Sequence, residues 1–154
     1  MGVVKWDLKL GRDKLRVMAD VHSKAVRSYN MSRIRSKDTG PEIQVRKFLF
    51  SRGYRFKLHD RELPGKPDIV LPKYRTAIFV HGCFWHGHDG CRFFVVPKTR
   101  TEWWLAKINR NKLLDRINVT SLIQMNWRVL SIFECQLRPE AVEKTFANLL
   151  KELK

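Results

Sequence analysis

The sequence predicts an α/β fold in which a mixed β-sheet is flanked by helices. The chain has 154 residues, which is the usual length of one domain, and its 44% hydrophobic content can supply an ordinary core. Segments with helical periodicity alternate with short apolar runs that end at Pro or Gly. The predicted order is helix, three strands, helix, strand and helix, preceded by a basic arm.

Each element can be assigned along the chain. Residues 18–34 have the pattern of a short basic helix, and a second helix is expected from Pro41 to a C-terminal cap at Gly53. Three strands are then predicted, with the sequences YRFKL, DIVLP and RTAIFV. The remaining elements are a long helix, a strand and a closing amphipathic helix, over residues 99–127, 127–135 and 138–154.

The net charge indicates an anionic partner. The chain has 31 Lys and Arg against 15 Asp and Glu, a formal charge of +16. Nucleic acid is favoured because basic side chains neutralise backbone phosphates and release counterions. No run approaches the ~18 apolar residues of a membrane span, and the N-terminus is too polar for a signal peptide. We therefore expect a cytoplasmic protein.

Cysteine and histidine are concentrated in one segment, HGCFWHGHDGC. Three cysteines cannot all pair as disulfides, so metal ligands or free thiols are favoured. Cys83, His88 and Cys91, together with the distant Cys135, would give zinc one nitrogen and three sulfur ligands and use every cysteine in the chain. The alternative is that the cysteines are small buried hydrophobes and the histidines surface loop residues.

A second group of residues could serve phosphodiester hydrolysis. Asp68 follows a Pro-Gly turn at a strand start, where a carboxylate could hold Mg2+. His81 and His86 could exchange protons with water or a leaving oxygen. Asp115 on the long helix could orient one of these histidines. Structural explanations stay open, since turn aspartates bond their own backbone and Asp115 could lie on a solvated helix face.

Five distinctive segments follow one another between residue 18 and about residue 138, namely MADVHSKAVRSYNMSRI, LPGKPDIV, FVHGCFWHGHDGC, PKTRTEWWLAKI and WRVLSIFEC. In this order they resemble the very-short-patch mismatch repair endonucleases, of the PD-(D/E)xK-like nuclease superfamily. The resemblance implies a restriction-endonuclease-like fold with a structural zinc. It also implies a Mg2+-dependent nick 5′ to the thymine of a T·G mispair, the product of 5-methylcytosine deamination.

The resemblance gives each active-site candidate a role. Asp68 resembles the metal-binding aspartate, and the backbone carbonyl of Val80 is a candidate second Mg2+ ligand. His86 resembles the family's general base, and His81 resembles its second active-site histidine. Asp115 resembles the residue that partners a histidine, and Glu42 resembles the N-terminal active-site glutamate. Glu42 also has a structural explanation, because the first turn of a helix favours a negative charge.

Aromatic and basic side chains are the expected DNA contacts. Phe84, Trp85 and Trp104 resemble residues that wedge into the base stack beside a mismatch. The basic arm resembles the family's N-terminal segment along DNA and supplies the candidate contacts Lys24, Arg27, Met31, Arg33 and Arg35. Core packing is the alternative for the aromatic residues, and it is preferred for Trp127. The arm could instead be a solvated helix.

The sequence departs from the family pattern in three places. The zinc loop contains Asp89 and Gly90 where relatives have a tighter histidine-rich run, and Val80 takes a position that threonine often fills. Residues 1–17 have no counterpart in the family, so we treat them as an N-terminal extension that is non-native or disordered, with a genuine basic tail as the alternative. Residues 18–154 are then expected to form a single endonuclease domain.

Two rival functions stay open at the level of sequence. A non-catalytic zinc-stabilised DNA-binding module would explain the charge, the cysteines and the aromatic residues, but not Asp68, His81 and His86 as a set. A restriction-type or structure-specific nuclease of the same fold would ignore mismatches. The expected partner is double-stranded DNA with a T·G mismatch, and mismatch-repair proteins are candidate partners. A nucleoid-associated monomer is the default expectation.

Overall fold

The computed structural model describes residues 17–18, 23–33, 35 and 37–154. Within these ranges the chain forms four α-helices and six β-strands. The helices are α1 (Lys24–Ser32), α2 (Gly40–Ser51), α3 (Thr101–Gln124) and α4 (Val142–Glu152). The strands are β1 (Val17–Met18), β2 (Lys57–Leu58), β3 (Ile69–Leu71), β4 (Thr76–His81), β5 (Val96–Pro97) and β6 (Arg128–Phe133). No helix in the described part of the chain is long and apolar enough to cross a membrane.

Four strands form one mixed sheet in the order β2-β3-β4-β6. The pairs β2–β3 and β3–β4 are antiparallel, whereas β4 and β6 are parallel, with Ile78 opposite Leu130. Parallel neighbours need a long crossover connection, and α3 lies in the connection between β4 and β6. The predicted α/β class, with a mixed sheet and flanking helices, is confirmed.

An apolar cluster covers each face of the sheet, and successive side chains of β4 pack alternately into one cluster or the other. Ile78 packs in one cluster with residues of α2 and α4, including Leu49 and Leu149. Ala77 and Phe79 point to the opposite face and pack with Leu122 of α3. Burial on both faces fixes the register of β4, since a one-residue slip would exchange its two sets of side chains.

The ends of α2 follow the predicted capping. Thr39 is the N-cap residue, and its hydroxyl oxygen accepts a hydrogen bond from the Glu42 N–H at 3.4 Å. Pro41 lies in the first turn, where its missing N–H has no helical partner to lose. Gly53 follows the C-terminal end with a φ of +82°, a conformation that suits glycine.

The predicted element boundaries differ from the structure in several places. The predicted helix 18–34 begins only at Lys24, because Val17 and Met18 form β1, a two-residue strand parallel to β5. Of YRFKL, only Lys57–Leu58 pairs with β3. The closing helix begins at Val142, after a turn through Pro139. Of the predicted extension 1–17, only Val17 is among the described residues.

Candidate active site and metal centre

A cavity of about 900 Å³ brings the predicted active-site residues together. Its wall includes all five catalytic candidates and the candidate metal-binding residue, namely Glu42, Asp68, Val80, His81, His86 and Asp115. These residues come from α2, from the start of β3, from the end of β4 and the loop after it, and from α3. The sheet and two helices therefore hold a set of side chains that are widely separated in sequence.

Asp68 is fixed against the neighbouring strand. Its Oδ2 atom accepts a hydrogen bond of 2.7 Å from the backbone N–H of Val80. Burial raises the pKa of Asp68 to about 6, and the negative charge of Glu42 adds to this effect. A bound cation would offset both effects, so this carboxylate fits a metal ligand. The role of the Val80 carbonyl remains a prediction.

His86 and Asp115 form a close pair across the cavity. His86 Nδ1 lies 2.6 Å from Asp115 Oδ2, and both side chains are about one quarter exposed. Because a carboxylate accepts hydrogen bonds, this contact places a proton on Nδ1 and leaves Nε2 of the neutral ring as a proton acceptor. The sequence did not indicate which histidine Asp115 contacts, and the structure identifies His86.

His81 is buried behind His86, with 3.9 Å between the two ring centroids. Phe79 and Phe133 also pack against the His81 ring, at centroid distances of 5.7 and 5.5 Å. Burial, together with the nearby His86, lowers the pKa of His81 to about 4, although Asp115 opposes the shift. His81 is therefore neutral at neutral pH.

Glu42 is buried and fully engaged by hydrogen bonds. Its carboxylate accepts from the backbone N–H of Asp38 at 2.9 Å and from the Thr39 hydroxyl at 2.9 Å. Arg46 donates a third bond, at 2.7 Å from Glu42 Oε2. This arrangement stabilises the start of α2 in the manner of a capping box. Glu42 lines the cavity as well, and its catalytic role remains a prediction.

Sequence reasoning missed two residues beside Asp68. Arg46 Nη2 lies 2.9 Å from His59 Nε2, and His59 Nδ1 lies 3.8 Å from Asp68 Oδ1. The available signal was that His59 is one of only five histidines and lies four positions before the start of LPGKPD. Further polar residues that line the cavity and were not predicted are Lys37, Arg61, Lys66, Asn111 and Asn118.

The four predicted zinc ligands converge at one end of β6. Cys83, His88, Cys91 and Cys135 have ligand atoms that all lie within 4.8 Å of one another. His88 Nδ1 is 3.7 Å from Cys83 Sγ and 3.3 Å from Cys135 Sγ. In a tetrahedral zinc site the nitrogen-to-sulfur separation is about 3.6 Å. Gly90, between the candidate ligands His88 and Cys91, has a φ of +69°, a conformation that suits glycine.

The electrostatics of this cluster also suit a bound cation. Burial raises the pKa of the Cys83 thiol to about 12 and raises that of Cys135. Burial lowers the pKa of His88, which keeps its imidazole neutral and able to bind a metal. Coordination would convert the thiols to thiolates, since a bound metal reverses the effect of burial. The donor set of three thiols and one imidazole fits a structural metal ion.

The three predicted wedge residues form one aromatic cluster. Phe84 contacts Trp85 and Trp104 at centroid distances of 5.2 and 5.3 Å, and all three side chains are half-buried. Trp103, which was not predicted, extends the cluster at 4.7 Å from Trp104 and is 44% exposed. Lys107 Nζ lies 5.2 Å from the Trp85 ring. The cluster adjoins the cavity, because its member Trp85 also lines the cavity wall.

The basic arm is described only in part. Arg33 and Arg35 are exposed, Met31 is half-buried, and Arg35 lines the cavity. Lys24 and Arg27 lie in α1, but their side chains are outside the described residues. Their predicted DNA contacts remain predictions. Trp127 immediately precedes β6 and packs against the second apolar cluster, so the preference for core packing is confirmed.

Comparisons with known proteins show the family of the chain. A sequence profile described as DNA mismatch endonuclease Vsr matches residues 19–92. The chain is 50% identical over 121 residues to the DNA mismatch endonuclease Vsr of Escherichia coli, covering 79% of this chain and 77% of that protein. It is 44% identical over 138 residues to the Type II nicking enzyme V.NmeAIP of Neisseria meningitidis, covering 89% and 98% of the two chains.

Among solved structures, the Homing Endonuclease I-Bth0305I Catalytic Domain aligns with a TM-score of 0.49 and 20% identity, over 75% of this chain and 94% of that one. The sequence relatives are much closer, and each alignment covers more than three quarters of both proteins. The chain therefore belongs to the DNA mismatch endonuclease Vsr family and is a DNA endonuclease.

Proposed function

We propose that this protein is a Mg2+-dependent endonuclease that nicks one DNA strand 5′ to the thymine of a T·G mispair. Such a nick would start very-short-patch repair after deamination of 5-methylcytosine. The observation that carries the proposal is the 2.6 Å contact between His86 and Asp115 in the same cavity as Asp68. Membership of a mismatch endonuclease family supports the proposed preference for T·G.

His86 is the proposed general base. Its Nε2 atom would take a proton from the water that attacks the phosphorus atom, while Asp115 holds the Nδ1 proton and stabilises the imidazolium that forms. His81 is neutral and packs against the ring of His86, so it adds no opposing charge when that ring becomes protonated. It is the second proposed active-site histidine, and Glu42 completes the proposed set.

Asp68 and the backbone carbonyl of Val80 would hold the catalytic Mg2+. The Val80 N–H fixes one carboxylate oxygen of Asp68 at 2.7 Å and so limits rotation of the group. Bound Mg2+ would supply positive charge that stabilises the transferring phosphoryl group and the leaving oxygen. The basic residues at the rim of the cavity, Arg35, Lys37, Arg61 and Lys66, would neutralise neighbouring phosphates.

The cysteine and histidine cluster is proposed to hold a structural Zn2+. Its ligands join the loop after β4 to the short helical turn after β6. That loop also carries His86 and the aromatic residues Phe84 and Trp85, so the metal would hold the base and the wedge in place. We assign the sheet to the restriction-endonuclease-like class because Asp68 directly precedes β3 and the histidine pair follows from β4.

Double-stranded DNA is the proposed partner. The cluster of Phe84, Trp85 and Trp104 would enter the base stack at the mismatch, where a weakened pair lowers the cost of opening. Met31 and the basic arm would lie along the duplex. The proposed location is with DNA in the cytoplasm. We propose a monomer in which residues 18–154 form the endonuclease domain. Mismatch-repair proteins are candidate partners.

A second candidate is a nicking enzyme with another site preference. Five of the relatives, including the one from Neisseria meningitidis described above, are named Type II nicking enzymes. Such an enzyme would use the same cavity and the same histidine. It would differ only in the base pair that the aromatic cluster admits.

The test is strand nicking on three duplexes that differ at one position, T·G, T·A or C·G, each with Mg2+ or with EDTA. We expect a Mg2+-dependent nick on the T·G duplex alone. His86→Ala should lower the nicking rate at least about 100-fold while DNA binding stays within a few-fold, because the base acts mainly on the transition state. Equal cutting of all three duplexes would remove the mismatch preference, and full activity of His86→Ala would remove the base.

A further inference from the structure

The guanidinium of Arg46 fills a cluster of three potential metal ligands at the side of the cavity. Ligand atoms of Asp38, Glu42 and His59 lie within 4.8 Å of one another. Arg46 Nη1 is 2.6 Å from Asp38 Oδ1, and Nη2 is 2.7 Å from Glu42 Oε2. The Arg46 side chain is only 12% exposed. A fixed organic cation therefore occupies a group of side chains that would otherwise suit a metal ion.

Arg46 determines which nitrogen of His59 carries the proton. A guanidinium can only donate hydrogen bonds, so His59 Nε2, which lies 2.9 Å from Arg46 Nη2, has to accept. The neutral ring then carries its proton on Nδ1. Nδ1 is the nitrogen that faces Asp68, at 3.8 Å from Oδ1. Arg46 thus directs an N–H group of His59 towards the carboxylate.

Asp68 is approached from two sides by groups that can orient it. The Val80 N–H binds Oδ2 at 2.7 Å, and the His59 Nδ1–H faces Oδ1 at a separation of 3.8 Å. That separation is about 0.6 Å longer than the upper limit of ~3.2 Å for an N–H···O hydrogen bond, so a small rotation or one water molecule would complete the contact. The carboxylate would then keep one rotamer while its remaining lone pairs face the cavity.

From this geometry we infer that Arg46 and His59 are positioning residues, which orient the carboxylate of Asp68 for binding a divalent cation. The inference rests on the proposed function, in which Asp68 is the Mg2+ ligand. Stabilising the start of α2 would require only the bonds of Arg46 to its two carboxylates. That role does not explain why the His59 ring lies between Arg46 and Asp68 and lines the same cavity.

Mn2+ binding tests this inference directly, without relying on the nicking rate. The full-length protein is bound to an already nicked T·G duplex, so that hydrolysis does not interfere, and Mn2+ affinity is followed by electron paramagnetic resonance. His59→Ala should weaken Mn2+ binding about 10-fold, the lower end of the range for loss of a residue that orients a metal ligand. His59→Asn should restore most of the affinity, because its amide N–H can replace Nδ1–H.

Two control variants separate the possible outcomes. Glu62→Gln, on the exposed surface near His59, should bind Mn2+ like the wild type. If both His59→Ala and Asp68→Ala keep wild-type Mn2+ affinity, the Mg2+ ligand assignment of the proposed function is wrong, and the inference falls with it. If only Asp68→Ala loses Mn2+, that assignment stands and the positioning role is overturned.

Thermal unfolding in Mg2+-free buffer distinguishes positioning from a purely structural role. A structural role would lower the unfolding midpoint of His59→Ala while leaving its Mn2+ affinity unchanged, and that result would overturn the inference. Equal Mn2+ affinities of His59→Asn and His59→Ala would do the same. Arg46→Lys provides an independent check, since lysine keeps the positive charge but lacks the fork that binds both carboxylates and His59. Its Mn2+ affinity should fall between those of the wild type and His59→Ala.

Discussion

Replacing Asp68 with asparagine should stabilise the Mg2+-free protein at neutral pH, although it removes the proposed metal ligand. Burial raises the pKa of Asp68 from 3.8 to about 6 in the folded chain, with a further contribution from Glu42. A raised carboxyl pKa means that the folded state binds the proton more tightly than the unfolded state. The resulting stabilisation is complete below pH 3.8 and is lost as the pH rises through about 6.

The size of the effect follows from the pKa shift of Asp68. The difference between about 6 and 3.8 is about 2 pKa units, which corresponds to about 3 kcal/mol. Asparagine is close in shape to the protonated carboxyl group and does not ionise. We therefore expect Asp68→Asn to match the wild type near pH 4 and to exceed its free energy of unfolding by about 3 kcal/mol at pH 8.

Urea-induced unfolding, followed by tryptophan fluorescence in Mg2+-free buffer at several pH values, measures this difference. Glu62→Gln is the control, because its side chain is exposed and the substitution should give no pH-dependent difference. Added Mg2+ should narrow the gap, since it binds the folded wild type and stabilises it by mass action. A difference between Asp68→Asn and wild type that stays constant from pH 4 to pH 8 would refute the reasoning, as would a less stable variant at pH 8.

Three further predictions address the metal cluster and the DNA surface. Cys135→Ser should abolish stoichiometric zinc in metal analysis and lower the free energy of unfolding by several kcal/mol, because zinc binding contributes to folding. Trp85→Ala should weaken binding to a T·G duplex about 10-fold and binding to a matched duplex much less, as measured by fluorescence anisotropy. Arg35→Ala should reduce the slope of log affinity against log salt by about 1, since each neutralised phosphate contributes ~0.9.

The parts of the fold that have strong periodicity could be predicted from the sequence. The apolar run of β4 and the helical pattern of α3 indicated a buried strand and a long helix, and both are present. The two-residue strands β1 and β5 could not be found, because two residues carry no periodicity. Met18 was assigned to a helix for the same reason, since its pairing with Pro97 is set by tertiary contacts.

The candidate site was predictable where its residues lie close together in sequence. The segment from His81 to Cys91 indicated both a metal cluster and a pair of active-site histidines. The partner of Asp115 could not be chosen, because 29 residues separate it from His86 and only the packing of α3 brings them into contact. His59 and Arg46 were missed because their contact joins α2 to the turn after β2, and neither belongs to a recognised motif.

Phe133 joins the two metal regions through a single ring. The Phe133 ring stacks on the zinc-ligand candidate His88, with 3.8 Å between the ring centroids and an interplanar angle of 5°. The same ring packs against the active-site candidate His81, at a centroid distance of 5.5 Å. Attempts to redesign this enzyme therefore cannot treat the structural cluster and the cutting site as separate modules. A substitution at position 133 would change the packing of both His88 and His81. A substitution elsewhere that alters one of the two sites would have to leave the flat, apolar ring of Phe133 in place for the other.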